Sequence, residues 1–288
     1  MILAENYTLS NDVVIPKLGL GTWFIKDDKA AQAVKDAIDI GYRHIDTAQA
    51  YGNEAGVGEG VRNGGLPRKD IFVTTKLDAG IKSYQEAVTS IDGSLKKMEL
   101  DYIDLMIVHS PQPWQKFGED DRYFAGNREA WRALEEAYKA GKLRAIGLSN
   151  FQQADIENIL ETCSVNPMVN QILAHIGNTP HALIQYCRER DILVEAYSPV
   201  GHGVLLKNDT IIQLAEKYGV SVPQLCIRYT LQLGMLPLPK TANPAHMKNN
   251  ADLDFVITDA DMDFLKNIEP IQDYGDAGVF PVYGGKMK

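Results

Sequence analysis

From about Gly41 onward, a short run of β-branched or aliphatic residues is followed by a longer stretch with helical periodicity, and the alternation continues along the chain. Consecutive units of this kind build a parallel sheet, because each helix returns the chain to start the next strand in the same direction. Candidate strands end at Gly21, Asp46, Lys76, His109, Ser149, Gln171, Tyr197 and Pro239, which makes eight. Eight units leave no exposed edge when the sheet closes on itself, so the pattern predicts an α/β fold, a (β/α)8 TIM barrel, over an open doubly wound sheet. The repeat does not change character midway, which predicts a single domain over residues 1–288.

Start and stop signals support the helices. Ser83 with Glu86 forms a capping box ahead of Ala87, Val88, Ile91 and Leu95, and Thr179-Pro180 and Asn243-Pro244 each set a cap residue before a proline. Gly41, Gly141 and Gly219 fall where a left-handed terminating residue is wanted. Tyr7-Thr8-Leu9 and Val13-Val14-Ile15 flank Asn11-Asp12 and predict an N-terminal β-hairpin. Gly56, Gly58 and Gly60 follow no apolar strand and lack phosphate-loop spacing, so they read as close helix packing. The tail from Ile268 to Lys288 is too irregular to assign.

A formal charge of −9 disfavours nucleic acid as a partner. Met1 to Ser10 shows no basic region leading into an apolar stretch, and nowhere do about eighteen apolar residues run without a charge, so a cytoplasmic protein with no membrane segment is expected. Cys163, Cys187 and Cys226 lack metal or redox spacing and read as reduced core residues, and no metal site is expected.

In barrels of this type chemistry sits at the carboxyl ends of the strands. Here those ends carry functional groups: Asp46, Lys76, His109, Ser149 with Asn150, Gln171, Tyr197 and Lys240, with Tyr51 five residues after Asp46. Each alone has a bland reading as a cap, a snorkelling stem or a satisfied core imidazole; their joint placement argues otherwise. A tyrosine holds its proton at neutral pH. Lys76 beside it would stabilise the phenolate and lower the pKa of Tyr51, Asp46 would keep Lys76 charged, and His109 could orient a substrate carbonyl. The set suits protonation of an oxyanion and contains no hydride source, so a cofactor must supply one.

The segments Leu18-Gly19-Leu20-Gly21-Thr22-Trp23, Gly41-Tyr42-Arg43-His44-Ile45-Asp46-Thr47-Ala48, Tyr51-Gly52-Asn53-Glu54, Thr74-Thr75-Lys76, Gly147-Leu148-Ser149-Asn150-Phe151 and Pro239-Lys240 together resemble the aldo-keto reductases, over nearly the whole chain. The resemblance implies that Tyr51 is the general acid, assisted by Asp46, Lys76 and His109, and that the hairpin plugs the bottom of the barrel. It further implies that Ser149, Asn150 and Gln171 hydrogen-bond a nicotinamide carboxamide, that Tyr197 stacks on the ring, and that Gly21 and Thr22 lie beside it. Ser198 and Val200 fall where the family contacts the pyrophosphate, and Trp23 and Trp114 where it walls the substrate pocket. Lys240, Thr241, Ala242, His246, Asn249 and Asn250 match the stretch that grips the adenosine of NADPH and its 2′-phosphate. A small-molecule aldehyde or ketone is the implied substrate, and a monomer the family default.

Four departures stand out. His246 replaces an arginine usual in NADPH-preferring relatives, which predicts relaxed cofactor use admitting NADH. Asn249 replaces a carboxylate, although its amide oxygen could accept the same bond. The connection from Ser110 to Asn127 is long and is expected to fold over the barrel mouth; Gln171-Ile172-Leu173-Ala174-His175-Ile176 also differs from the family's usual glutamate and histidine-proline pair. The same strand-end groups admit two other readings: a lyase with Lys76 as a Schiff-base nucleophile, against which Asp46 argues by holding Lys76 protonated, and a cofactor-binding regulatory subunit with little turnover.

Overall fold

A computed structural model describes residues 1–286. Strands β1 (Asn6–Thr8) and β2 (Val14–Pro16) pair antiparallel as the expected hairpin. The remaining eight strands are all parallel and follow chain order around the sheet: β3 (Leu20–Gly21), β4 (His44–Asp46), β5 (Phe72–Leu77), β6 (Ile103–Val108), β7 (Leu143–Ser149), β8 (Val169–Leu173), β9 (Leu193–Tyr197) and β10 (Leu236–Leu238). The first and last close the barrel. Gly19 N–H donates to the Pro237 carbonyl at 3.2 Å and Gly21 N–H to that of Pro239 at 3.1 Å. At this seam a Cβ on Gly19 would come within 2.6 Å of the Leu238 side chain and 2.8 Å of the buried His44 ring, so the close approach favours glycine there.

The strands read as near-continuous apolar runs because both of their faces are covered. Every residue of β5 and β6 is buried. Outside them lie α1 (Asp27–Ile40), α2 (Glu54–Arg62), α3 (Tyr84–Met98), α4 (Phe124–Lys139), α5 (Gln153–Leu160), α6 (His181–Arg188), α7 (Asp209–Lys217), α8 (Val222–Gln232), α9 (Pro244–Ala251) and α10 (Asp259–Lys266). The cap signals hold at α3, where Ser83 accepts from the Glu86 N–H, and at α9, where Asn243 accepts from Ala245 N–H ahead of Pro244. At α6 the expectation fails by one residue. Pro180 is itself the flanking residue, and the Thr179 hydroxyl is spent on the His175 carbonyl and the Tyr229 hydroxyl. Gly56 and Gly58 do mark close packing: a Cβ would meet the Asp27 and Met98 carbonyl oxygens at 2.2 Å.

The hairpin crosses the amino-terminal ends of the strands. Tyr7 donates to the carbonyl of Met235, just before β10, and Asn11 to that of Arg144, at the start of β7. With its own Ile15 buried, the hairpin covers the bottom and leaves the opposite end to form a site. Cys187 and Cys226 are core residues, and Cys163, half-buried beyond the end of α5, packs against the edge of the core. The described part of the tail, residues 268–286, lies over the barrel mouth, where Tyr274, Ala277 and Tyr283 are buried with Trp23, Leu173 and Val204 packed against them, and its last two residues fall outside the described residues. Among the described residues no helix is long and apolar enough to cross a membrane.

Candidate active site

The carboxyl ends of the strands surround a cavity of about 300 Å³. Gly21, Thr22, Trp23, Asp46, Tyr51, His109, Trp114, Ser149, Asn150, Gln171, Tyr197, Ser198 and Lys240 all line it, so most of the residues singled out in sequence converge. Tyr51 is carried by a short turn of helix, Gln49–Tyr51, ended by Gly52 at φ 68°, a left-handed conformation that releases the chain into α2. The connection after β6 brings Trp114 edge-on to His109, with ring centroids 5.0 Å apart. Gln112 pins that connection by donating to the Glu119 and Asp121 carbonyls while accepting from Gly118 N–H.

Lys76 lies beneath the cavity, 1% exposed. Its Nζ donates to Asp46 Oδ1 at 2.6 Å and to the Thr47 carbonyl at 2.8 Å, and sits 4.8 Å from the centroid of the Tyr51 ring. Burial alone would drive the ammonium toward its neutral form, but Asp46 and Tyr51 together hold the Lys76 pKa above the usual lysine value. Tyr51 departs from expectation. Burial raises its pKa more than the Lys76 charge lowers it, and Asp46 adds to the rise, so the net direction is upward. Lys76 therefore limits an increase that desolvation imposes, and the phenol remains protonated at neutral pH. His109 is pushed well below the usual histidine range by burial and then by Lys76, leaving a neutral imidazole whose Nδ1 has no protein partner.

A second layer of hydrogen bonds ties the floor together. Asn150, at φ 62°, donates to the His109 carbonyl and to Ser149 Oγ, and accepts from the Tyr197 hydroxyl at 2.7 Å. Thr47 donates to Asn53 Oδ1, and Asn53 donates to the Thr22 and Ile25 carbonyls, fixing the segment that bears Tyr51. Gln171 donates to Asp46 Oδ2 at 2.9 Å and to Glu195 Oε2 at 2.7 Å. Glu195 was missed in the sequence, although a carboxylate between Val194 and Ala196, two residues before Tyr197 on an apolar strand, is a signal of an inward-facing acid. Phe280, Pro281 and Val282 were missed too; they close the wall opposite the floor, with Phe280 edge-on to Trp23 at 5.0 Å.

Of the residues matched to the adenosine end, Lys240 borders the cavity and the others are not part of its lining. Thr241 is buried and its hydroxyl accepts from Asn243 N–H, Asn250 is buried, and Ala242 and His246 are exposed. Asn249 Oδ1 already accepts from the Ser221 hydroxyl at 2.8 Å, so its free Nδ2 donors are the group it most readily offers a ligand. Val200 packs on the cluster around Ile176 and Leu205. Ser198, at φ 49°, shares a 2.7 Å hydrogen bond with the Tyr283 hydroxyl of the tail.

A closed parallel barrel with a buried Asp46–Lys76 pair under a tyrosine and a neutral histidine defines the class, and comparison with known proteins agrees. Residues 17–270 match the aldo/keto reductase family. The glyoxal reductase of Bacillus subtilis (strain 168) is 39% identical over 263 residues, covering 91% of each chain. A crystal structure of an aldo/keto reductase from Brucella melitensis superposes with a TM-score of 0.85 at 37% identity, covering 93% of this chain and 99% of that one. An aldo-keto reductase of Bombyx mori solved in complex with NADP gives a TM-score of 0.84 at 33% identity over 96% of both chains. The chain belongs to the aldo/keto reductase family, whose members are nicotinamide-dependent carbonyl oxidoreductases.

Proposed function

We propose that this single-domain barrel reduces aldehydes or ketones with NADPH, Tyr51 giving the proton to the carbonyl oxygen as the cofactor supplies hydride to the carbonyl carbon. The observation that carries this reading is the buried Asp46–Lys76 pair set beneath the half-buried Tyr51, which opens into an otherwise largely apolar cavity. A phenol held protonated by burial is a proton store; a fixed ammonium below it stabilises the phenolate left after transfer without needing solvent to reorganise. Neutral His109, across the ring from Tyr51 at 5.7 Å between centroids, can donate to the same oxygen and fix its direction. Trp23 and Trp114 exclude water from either side, which strengthens both interactions.

The residues present fit a nicotinamide nucleotide. Ser149, Asn150 and Gln171 present polar atoms to the cavity where a carboxamide would lie, and Tyr197 offers a ring face. Gly21 and Thr22 border the same end. Ser198 and Val200 begin the loop suited to the pyrophosphate, while Lys240, Thr241 and the N-terminus of α9 with Ala242 suit a 2′-phosphate. His246, exposed on α9, supplies no fixed cation, which supports use of NADH as well as NADPH. Burial of Lys76 beneath Tyr51 with its charge held by Asp46 weighs against a Schiff-base role.

Purified protein assayed with NADPH and NADH against a panel of aldehydes and ketones tests the reading directly. Oxidation of either nucleotide dependent on a carbonyl compound is the expected outcome, and none across the panel would contradict it.

A further inference from the structure

Glu195 is a buried ionisable group that this chemistry leaves unused. It is fully buried, stands opposite Gln171 in the parallel register of β8 and β9, and its Oε1 has no hydrogen-bond partner. Burying a carboxyl with an unsatisfied oxygen costs free energy that an apolar side chain of similar size would not. Folding alone gives no reason to keep it there.

Its one bond supplies the reason. A primary amide has two N–H donors on one side and an acceptor on the other. Gln171 sends both donors inward, one to Asp46 Oδ2 at 2.9 Å and one to Glu195 Oε2 at 2.7 Å. Asp46 Oδ2 belongs to the carboxylate that pairs with Lys76, so the flipped orientation would set the amide oxygen against it at 2.9 Å, and the assignment of nitrogen and oxygen follows from that contact. Gln171 lines the cavity, and its Oε1 is the polar atom left to face it.

We propose that Glu195 is a positioning residue: with Asp46 it locks the Gln171 amide so that its carbonyl oxygen, and not its NH2, meets the cofactor, selecting a ring substituent that donates a hydrogen bond. This rests on the reading that Gln171 contacts the nicotinamide carboxamide. Asp46 alone would satisfy one N–H and leave the other free to swing toward the cavity. The matching ligand chemistry is the NH2 of a carboxamide, and the excluded chemistry is a substituent with acceptors only.

The test compares the oxidised carboxamide cofactor with its 3-acetylpyridine analogue, in which a methyl replaces the NH2. Binding is followed through quenching of protein fluorescence, since Trp23 and Trp114 line the cavity. One hydrogen bond of ordinary net strength predicts roughly 5-fold tighter binding of the carboxamide by the unmodified protein. Glu195→Leu and Glu195→Met, which remove the acceptor, should bring that ratio to about 2 or below, and Glu195→Gln, which keeps one, should restore it. A folded Leu or Met variant with the unmodified ratio would overturn the proposal. Gln171→Leu separates the two layers: an unchanged ratio there defeats the reading of Gln171 itself, whereas a lost ratio there with an unchanged one in Glu195→Leu defeats only the role of Glu195. A measurement that needs no variant to fold uses protein labelled with 15N at glutamine side chains. The Gln171 NH2 protons should stay slow to exchange and keep their partners when the carboxamide cofactor is added; an N–H that changes partner on binding would contradict the proposal.

Discussion

The floor of the cavity and the end matched to adenosine are built on opposite principles. At the floor, Asp46, Lys76, Gln171 and Glu195 are all buried and joined by hydrogen bonds of 2.6 to 2.9 Å. At the other end Lys240, Ala242 and His246 are exposed, and the ordered contacts belong mainly to the local turn and cap around Thr241 and Asn243. A group that must act on a developing charge has to be fixed before the reaction, because reorganisation during it raises the barrier. A group that grips a remote phosphate can remain solvated and adjustable, and changing it alters selectivity more readily than chemistry.

The largest expected effect comes from breaking the floor. Lys76→Met should lower kcat by roughly 10²- to 10⁴-fold in steady-state assays. By leaving buried Asp46 without its cation it should also cost on the order of 3 kcal/mol in denaturant unfolding. Wild-type rates in that variant would mean the floor is ordinary core.

A smaller effect is visible in stability against pH. Burial, with Asp46 adding to it, raises the Glu195 pKa from 4.5 to about 8. A carboxyl whose folded pKa is raised contributes stability fully present below its unfolded value and lost as pH rises through the folded one. The window is therefore pH 4.5 to about 8, and the loss on the order of a few kcal/mol. His44 acts the other way at acid pH, since burial lowers its pKa to about 3, so the comparison must be between variants. Glu195→Gln should show a shallower fall in Tm from pH 5 to pH 8.5 than the unmodified protein, and parallel curves would contradict the assignment.

The adenosine end should respond least. His246→Arg adds a fixed, planar cation on exposed α9 and should raise the preference for NADPH over NADH by roughly 5- to 10-fold in kcat/KM, with kcat nearly unchanged. An unchanged preference would place the 2′-phosphate elsewhere.

The same contrast explains what the sequence made legible. The barrel could be read because strands buried on both faces are apolar runs with a polar residue at the end, and the eight candidate ends lie within two residues of the observed strand ends. Asp46, Tyr51, Lys76 and His109 converge for that reason. The direction of the Tyr51 pKa was not legible, because it depends on the balance between burial and the Lys76 charge, which spacing does not reveal. Glu195 could have been found from its inward parity with Tyr197, but its bond to Gln171 depends on the register between β8 and β9. The tail could not be placed at all: with no periodicity, the seats of Tyr274, Phe280 and Tyr283 are decided by contacts to Trp23, His175 and Ser198, which are remote in the chain.

Proton donation by Tyr51 is put to the test by replacing its hydroxyl with hydrogen. In Tyr51→Phe, carbonyl reduction should fall by roughly 10²- to 10⁴-fold while the dissociation constant for NADPH, followed by fluorescence quenching, stays within about twofold. Turnover retained near the unmodified rate would contradict the account.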